Sequence, residues 1–182
     1  MSMRKTILFL IIVCGGFSLS LKEEGEKYSV PSKSRKSLFY IQRNHNRNTI
    51  VYDANFDKSG QLNKEEPIHV YWIRYEERGQ KMELRTIEKW YAYGVKASKI
   101  KNNNKEFKIN LVASSKKEFL LKEENSFKAA IYTTINGKQA KLEHLYIFAD
   151  NTGFWPKVKY IELFGEDITS GESVYEKLMT DQ

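Results

Sequence analysis

The chain has 182 residues and a formal charge of +7, with 30 Lys and Arg against 23 Asp and Glu, and it carries a single cysteine. That length holds one domain and a short targeting segment, and one cysteine excludes a disulfide framework. Basic and acidic residues interleave, as in KEFLLKEENSFK, and no arginine-rich cluster occurs, so the charge pattern of a nucleic-acid binder is absent.

Met1 to Ser20, MSMRKTILFLIIVCGGFSLS, reads as a secretory signal. Arg4 and Lys5 form the basic start, Thr6 to Val13 an apolar core too short to span a bilayer, and Ser18 and Ser20 the small residues before a cut after Ser20. The alternative is an uncleaved membrane anchor. The bulky Val13 before Cys14 argues against a lipid-attachment site. Cleavage removes Arg4, Lys5 and Cys14, lowering the charge and leaving neither disulfide nor thiol chemistry. The expectation is an exported protein, periplasmic or extracellular, with no integral membrane span after cleavage. Its remaining residues, about 160, suffice to build a core without staples. Leu21 to Ser37, charged and serine-containing with Pro31, reads as a flexible leader.

From Leu38 to Leu178 the sequence reads as one β-rich domain. Short runs of Tyr, Phe, Ile, Val and Trp are separated by Asn, Gly, Asp and Lys. Expected strands are Leu38–Arg43, Thr49–Asn55, Ile68–Glu76, Glu106–Ala113, Glu118–Lys122, Phe127–Ile135, Lys138–Ala149 and Val158–Phe164. NHNRN, Asn44 to Asn48, joins the first two as a hairpin loop. Pairing Ile41 with Ile50 or with Val51 decides whether Arg43 and Asp53 point inward, and both registers fit the sequence. IHVYWIRYE is apolar or aromatic on both faces, which marks a central strand covered on both sides. Arg74 in that row is expected to form a structural ion pair, with Asp53 or Glu162, or to reach a wet rim.

Met82 to Tyr93 is the one stretch with helical spacing, with Met82, Ile87, Trp90, Tyr91 and Leu84 on one side and Gly94 as a stop. KIKNNNKE, Lys99 to Glu106, reads as a polar loop. Asn136-Gly137 predicts a two-residue hairpin, because a type I′ turn needs positive φ at both positions. It pairs Ile135 with Lys138 and Thr133 with Ala140. Extended, it sets Ile131 against Leu142, Ala129 against His144 and Phe127 against Tyr146. His144 would then point inward, as a hydrogen-bonded core histidine or as a ligand group.

FYIQRNHNRNTIVYDAN, PIHVYWIRYEERG, YAYGVK and VKYIELFG followed by VYEKL resemble, in that order, the bacterial family catalogued as domain of unknown function 4833. The likeness covers Phe39 to Leu178. It implies a short exported protein of the kind found in Bacteroidota and one compact domain. It carries no catalytic residues to this chain.

NFDKSGQLNKEEP, Asn55 to Pro67, has the spacing of an EF-hand loop, with Asn55, Asp57, Ser59, Gly60, Gln61, Asn63 and Glu66 at positions that bind calcium or turn the chain. Asn55 stands where that loop needs Asp, the flanks are strands, and Pro67 follows at once. Turn chemistry accounts for the same residues, so no cofactor is assigned and calcium stays the alternative. His45, His69 and His144 lack metal-type spacing, and neither GxSxG nor a phosphate-binding glycine motif occurs.

The candidate ligand-contacting residues are Arg43, Asp53, Arg74, His144 and Trp155, the last in the Phe154-Trp155-Pro156 loop. The expected fold is mainly β: an antiparallel barrel or strongly curved sheet of about eight strands with one packed helix. The expected function is a non-catalytic binding or interaction module for a small molecule, glycan or envelope protein. A hydrolase of envelope or glycan material, working with dispersed carboxylates, is the alternative.

Overall fold

The computed structural model describes residues 28–101, 103–112, 114–153 and 156–180. Within them the strands are β1 (Ser37–Arg43), β2 (Asn46–Ala54), β3 (Ile68–Ile73), β4 (Lys81–Glu83), β5 (Val95–Ile100), β6 (Asn103–Leu111), β7 (Ser114–Asn125), β8 (Lys128–Ile135), β9 (Lys138–Asp150), β10 (Lys157–Asp167) and β11 (Ser173–Met179). The helix α1 (Thr86–Glu88) runs on into a π-helical turn, Lys89–Tyr93. All eleven strands form one sheet in the order β4-β3-β2-β1-β9-β8-β7-β6-β5, with β10 on β9 and β11 on β10. The sheet curls into a half-barrel, mainly β with one short helix, as the strand pattern predicts.

The curl has its corner in β9. Its first residues pair with β8 as far as Tyr132 opposite Lys141, after which the same edge takes β1 in parallel, from Tyr40 opposite His144 to Arg43 opposite Ile147. On the other edge, β10 sets Phe164 against His144 and Gly165 against Leu142, so Glu143 is one residue too many. Such a bulge bends the strand and flips its faces. Leu142 and Leu145 therefore both enter the core although three positions separate them. The corner requires a glycine in β10: a Cβ on Gly165 would stand 2.5 Å from the Lys141 carbonyl oxygen and 2.9 Å from Ile135 Cδ1.

This corner corrects the predicted hairpin. The Asn136-Gly137 turn holds, with positive φ at both residues, and Ile135–Lys138 and Thr133–Ala140 pair as expected. Beyond Tyr132 the predicted pairs do not form, because β9 leaves β8 for β1. His144 faces Tyr40, not Ala129, and lies on the outer face.

The concave face holds the core. Ile50, Ile109, Leu121 and Ile131 are fully buried, and Tyr52 stacks on Phe39 at 4.2 Å. Burying each such aliphatic side chain stabilises the fold by about 1.5–3 kcal/mol. The first hairpin resolves to Ile41 opposite Ile50, which sends Arg43 to the concave side and Asp53 to the outer one.

Other expectations give way to tertiary structure. Met82 lies in β4, and only eight residues turn helically. Ile87, Trp90 and Tyr91 are 61%, 68% and 74% exposed, while Leu84 is buried and Tyr93 packs edge-on against Trp72 at 5.2 Å. Leu84 and Tyr93 serve the concave face from either end of the helical segment, so its predicted apolar side turns to solvent. β5 and β11 are strands that the sequence pattern does not predict. Most of β5 is exposed, which erases the alternation that marks a strand. Arg74 lies past the end of β3 and pairs with Glu77 in the turn to β4, at 2.7 Å, not with Asp53 or Glu162.

Candidate ligand-binding cleft

Where β1 and β8 part from β9, the sheet opens into a cleft of about 590 Å³. Leu142 and Glu143 of the bulge line it together with Leu38, Phe39 and Tyr40 of β1, Val51 of β2 and Ala129 of β8. The Pro31–Ser37 stretch forms a further wall. Serine chemistry shapes that wall: the Ser34 amide donates to Ser37 Oγ at 2.9 Å, the Lys36 amide to Ser34 Oγ at 3.2 Å, and the Ala54 amide to the Lys36 carbonyl at 2.7 Å. Gln42 Nε2, inside the fold, donates to the Ser29 carbonyl at 3.2 Å and holds the start of this segment.

The rim is cationic. Lys33, Arg35, Lys128 and Lys141 border the cleft against the two carboxylates Glu143 and Glu166. Lys33 reaches Glu143 at 3.3 Å, and Lys128 reaches Glu124 at 2.8 Å. Glu124, which also accepts the Tyr132 hydroxyl at 2.7 Å, is held below the usual carboxylate range chiefly by its bond to Lys128, with Lys141 adding to the pull. Arg35 makes no side-chain hydrogen bond or ion pair among the described residues.

Phe127 stands at the mouth with a left-handed backbone, φ 57°, and is 44% exposed. An aromatic residue rarely adopts that conformation, and surrounding structure must enforce it. The enforcing contact is the Asn55–Pro67 loop. The Phe127 amide donates to the Gly60 carbonyl at 2.9 Å, and Phe56 meets the Phe127 ring edge-on at 5.9 Å. Gly60 itself has φ 81°, and a Cβ there would stand 2.8 Å from the Phe127 ring.

Turn hydrogen bonds engage the residues that carry the EF-hand spacing in the same loop. Asp57 Oδ1 accepts the Ser59 hydroxyl at 2.6 Å, the Ser59 amide at 2.8 Å and the Gln61 amide at 3.1 Å. These bonds, the Ser59 hydroxyl first, hold its carboxyl below the usual range. Asn55 Nδ2 donates to the Glu66 carbonyl at 2.8 Å, and Asn63 Oδ1 accepts the Glu65 and Glu66 amides. Leu62 plugs the core, its amide bound at 3.0 Å to the buried Glu123 carboxylate. Among the described residues no three His, Cys, Asp or Glu side chains converge as metal ligands.

An aromatic row runs from the cleft across the outer face. Tyr175, Phe164, His144, Tyr40, Val51 and Tyr71 stand opposite one another on six consecutive strands. The His144 imidazole is stacked between Phe164 at 4.2 Å and Tyr40 at 5.0 Å. Burial there pushes its pKa down to about 4. Tyr40 is pushed up to about 12, by burial first and by Glu143 next. Sequence reasoning missed this row, because the bulge and the parallel pair that align it leave no periodic signal.

The predicted site residues do not form one site. Arg43 lies over the Trp72 and Tyr93 rings, 4.9 and 5.3 Å from their centres, and donates to the Tyr93 hydroxyl and to Asn46 Oδ1. Asp53 accepts the Tyr71 hydroxyl at 3.1 Å on the outer face, and Arg74 stays in its turn. His144 adjoins the cleft through Tyr40 and Glu143. Trp155, the stretch Met1–Ser20 expected to be a signal, and residues 21–27 of the expected leader lie outside the described residues. Lys33, Arg35, Phe127 and Lys141 are not among the candidate residues of the sequence: the first two lie in the expected leader and the other two in the expected strands, where nothing marks them as ligand contacts.

No helix among the described residues is long and apolar enough to cross a membrane. No curated protein and no solved structure matches the chain. Residues 39–177 match the model of the family described as Domain of unknown function (DUF4833), and the chain belongs to that family.

Proposed function

We propose that the protein is an exported, non-catalytic binding module that takes an anionic small molecule with an apolar body into the corner cleft. The observation that carries this reading is Arg35, a cation without a side-chain partner among the described residues, at the mouth of a cleft lined by Leu38, Phe39, Val51, Ala129 and Leu142. Ligand sites combine apolar walls with a few charged groups that fix orientation. Export rests on the signal-like pattern of Met1–Ser20.

Glu143 and Glu166 lie in the same cleft, and two carboxylates are what a glycan hydrolase would need. The Lys33 ion pair on Glu143 favours binding over acid–base work.

Titration calorimetry with decanoate tests the reading, with decyltrimethylammonium as the cation of equal chain length. Decanoate binds saturably, and Arg35→Glu combined with Lys141→Glu weakens it by about tenfold or more, since a charge-assisted contact contributes roughly 1.5–3 kcal/mol. Equal binding of the ammonium compound, or no binding of decanoate, overturns it.

A further inference from the structure

Of the walls of the corner cleft, the one before β1 is the least secured. Tyr28 to Lys36 crosses the outer face and is fastened at two ends. At the first, the Tyr28 ring lies 6.1 Å from that of Tyr146, the Ser29 carbonyl accepts Gln42 Nε2, and Pro31 is buried. At the second, the Lys36 carbonyl accepts the Ala54 amide at 2.7 Å. Ser32 to Arg35 arches between them and is exposed at every residue.

The sequence explains the arch. Ser-Lys-Ser-Arg has no apolar side chain to bury, so the hydrophobic term that fixes the sheet is missing there. Its hydrogen bonds close a turn onto Ser37: the Ser34 amide donates to Ser37 Oγ at 2.9 Å, and the Ser37 amide donates to the Ser34 carbonyl at 3.2 Å. Beyond that turn, the one polar contact from the arch to the sheet among the described residues is the Lys33–Glu143 ion pair. Its side chains are 77% and 40% exposed, and exposed pairs contribute little because water solvates both charges nearly as well. Segments with so few buried contacts open locally while the rest of the fold stays closed.

An anion in the cleft changes that balance. Lys33 and Arg35 stand on the arch and Glu143 on the opposite wall, so a ligand carboxylate competes with Glu143 for Lys33 and gives Arg35 a partner. Glu143, once released, is exposed enough to be solvated. A ligand shifts a conformational equilibrium only through contacts that differ between the two states. The two cations supply that difference, because they reach across the cleft only when the arch lies over it.

We infer that Ser32–Arg35 is a strap that closes over an anion in the corner cleft, with Lys33 exchanging Glu143 for the ligand and Arg35 joining it. This rests on the ligand reading of the cleft and adds to it how the site closes.

The test is timed trypsin digestion of the protein, with cut positions read by mass spectrometry and decanoate binding followed in parallel by calorimetry. Trypsin can cut the strap after Lys33, Arg35 and Lys36, and Lys101, exposed in the turn after β5, is the reference position. At decanoate about ten times its dissociation constant, cleavage in the strap slows about tenfold, in step with the unliganded fraction, while cleavage after Lys101 is unchanged. Decyltrimethylammonium at the same concentration does not slow it. Glu143→Gln frees Lys33 and, without ligand, speeds strap cleavage about two- to fivefold, as loss of an exposed ion pair should. Binding without protection, equal slowing after Lys101, or a Glu143→Gln strap cut no faster than wild type overturns the inference and leaves the cleft reading in place. A strap that resists trypsin equally with and without decanoate does the same, by showing a fixed wall. Absence of decanoate binding in the calorimeter overturns the cleft reading and the strap together, so the two failures are told apart.

Discussion

Strands β1 to β3 carry large apolar or aromatic side chains on both faces, whereas β6 to β8 put most of theirs on one, with Leu120, Ala130 and Tyr132 among charged residues on the other. In the first half, Ile50 and Tyr52 enter the core while Val51 joins Tyr40 and Tyr71 on the outer face. In the second half, Phe107, Ile109, Phe119, Leu121, Ala129 and Ile131 enter the core. The outer face there is dominated by cross-strand ion pairs: Lys108 with Glu118, Lys122 with Glu106 at 3.6 Å, and Lys128 with Glu124. One half is charged and largely solvated on its outer face. The other has a second apolar surface, and the cleft opens where the two halves separate from β9.

The largest effects should be common to both halves, because they share one core. Ile50→Ala in β2 and Leu121→Ala in β7 each remove a fully buried side chain and should cost roughly 2–5 kcal/mol in urea unfolding, with a single transition. Two separated transitions would break the comparison, by showing that the halves fold independently.

Next comes the corner that joins them. Gly165→Ala should cost about 3 kcal/mol, because its methyl meets backbone that cannot move away. Gly137→Ala, at a turn with φ 77° and open space around it, should cost only about 1 kcal/mol. Equal losses would mean that the bend does not depend on Gly165.

The outer row should show itself in acid. His144 has a folded pKa of about 4 against an ordinary 6.5, so the unfolded chain takes up its proton first as pH falls. Stability from this residue is therefore full above pH 6.5 and lost as pH falls toward 4, by about 2–3 kcal/mol. His144→Phe keeps the stacking and should remove that part of the slope in melts across the same range. An unchanged slope would mean that the imidazole is solvated.

The smallest effect belongs to the solvated half. A double-mutant cycle on Lys108 and Glu118, both exposed, should return about 0.5 kcal/mol or less. A larger coupling would show that this face, too, is more than solvent coating.

The contrast also sets what the sequence reveals. In β6 to β8 the alternation marks both strand and face, and Asn136-Gly137 fixes the hairpin register, so these elements were readable. The central place of IHVYWI was readable from its two apolar faces. What those faces contact was not, because that depends on the extra residue Glu143 and on a parallel pair between strands about a hundred positions apart in the chain. The helical spacing of Ile87, Trp90 and Tyr91 misled because the core was already filled by Leu84 and Tyr93. The candidate cleft was the least legible part. Its cations, Lys33, Arg35, Lys128 and Lys141, come from separate polar stretches that only the corner assembles.

A map of amide chemical shifts on addition of decanoate tests the central claim most directly. Perturbations confined to Ser34–Phe39, Phe127–Ala129 and Leu142–Glu143, with Val95–Ile100 unmoved, are the predicted result. Shifts centred elsewhere, or none at saturating decanoate, would contradict a ligand site at the corner of the sheet.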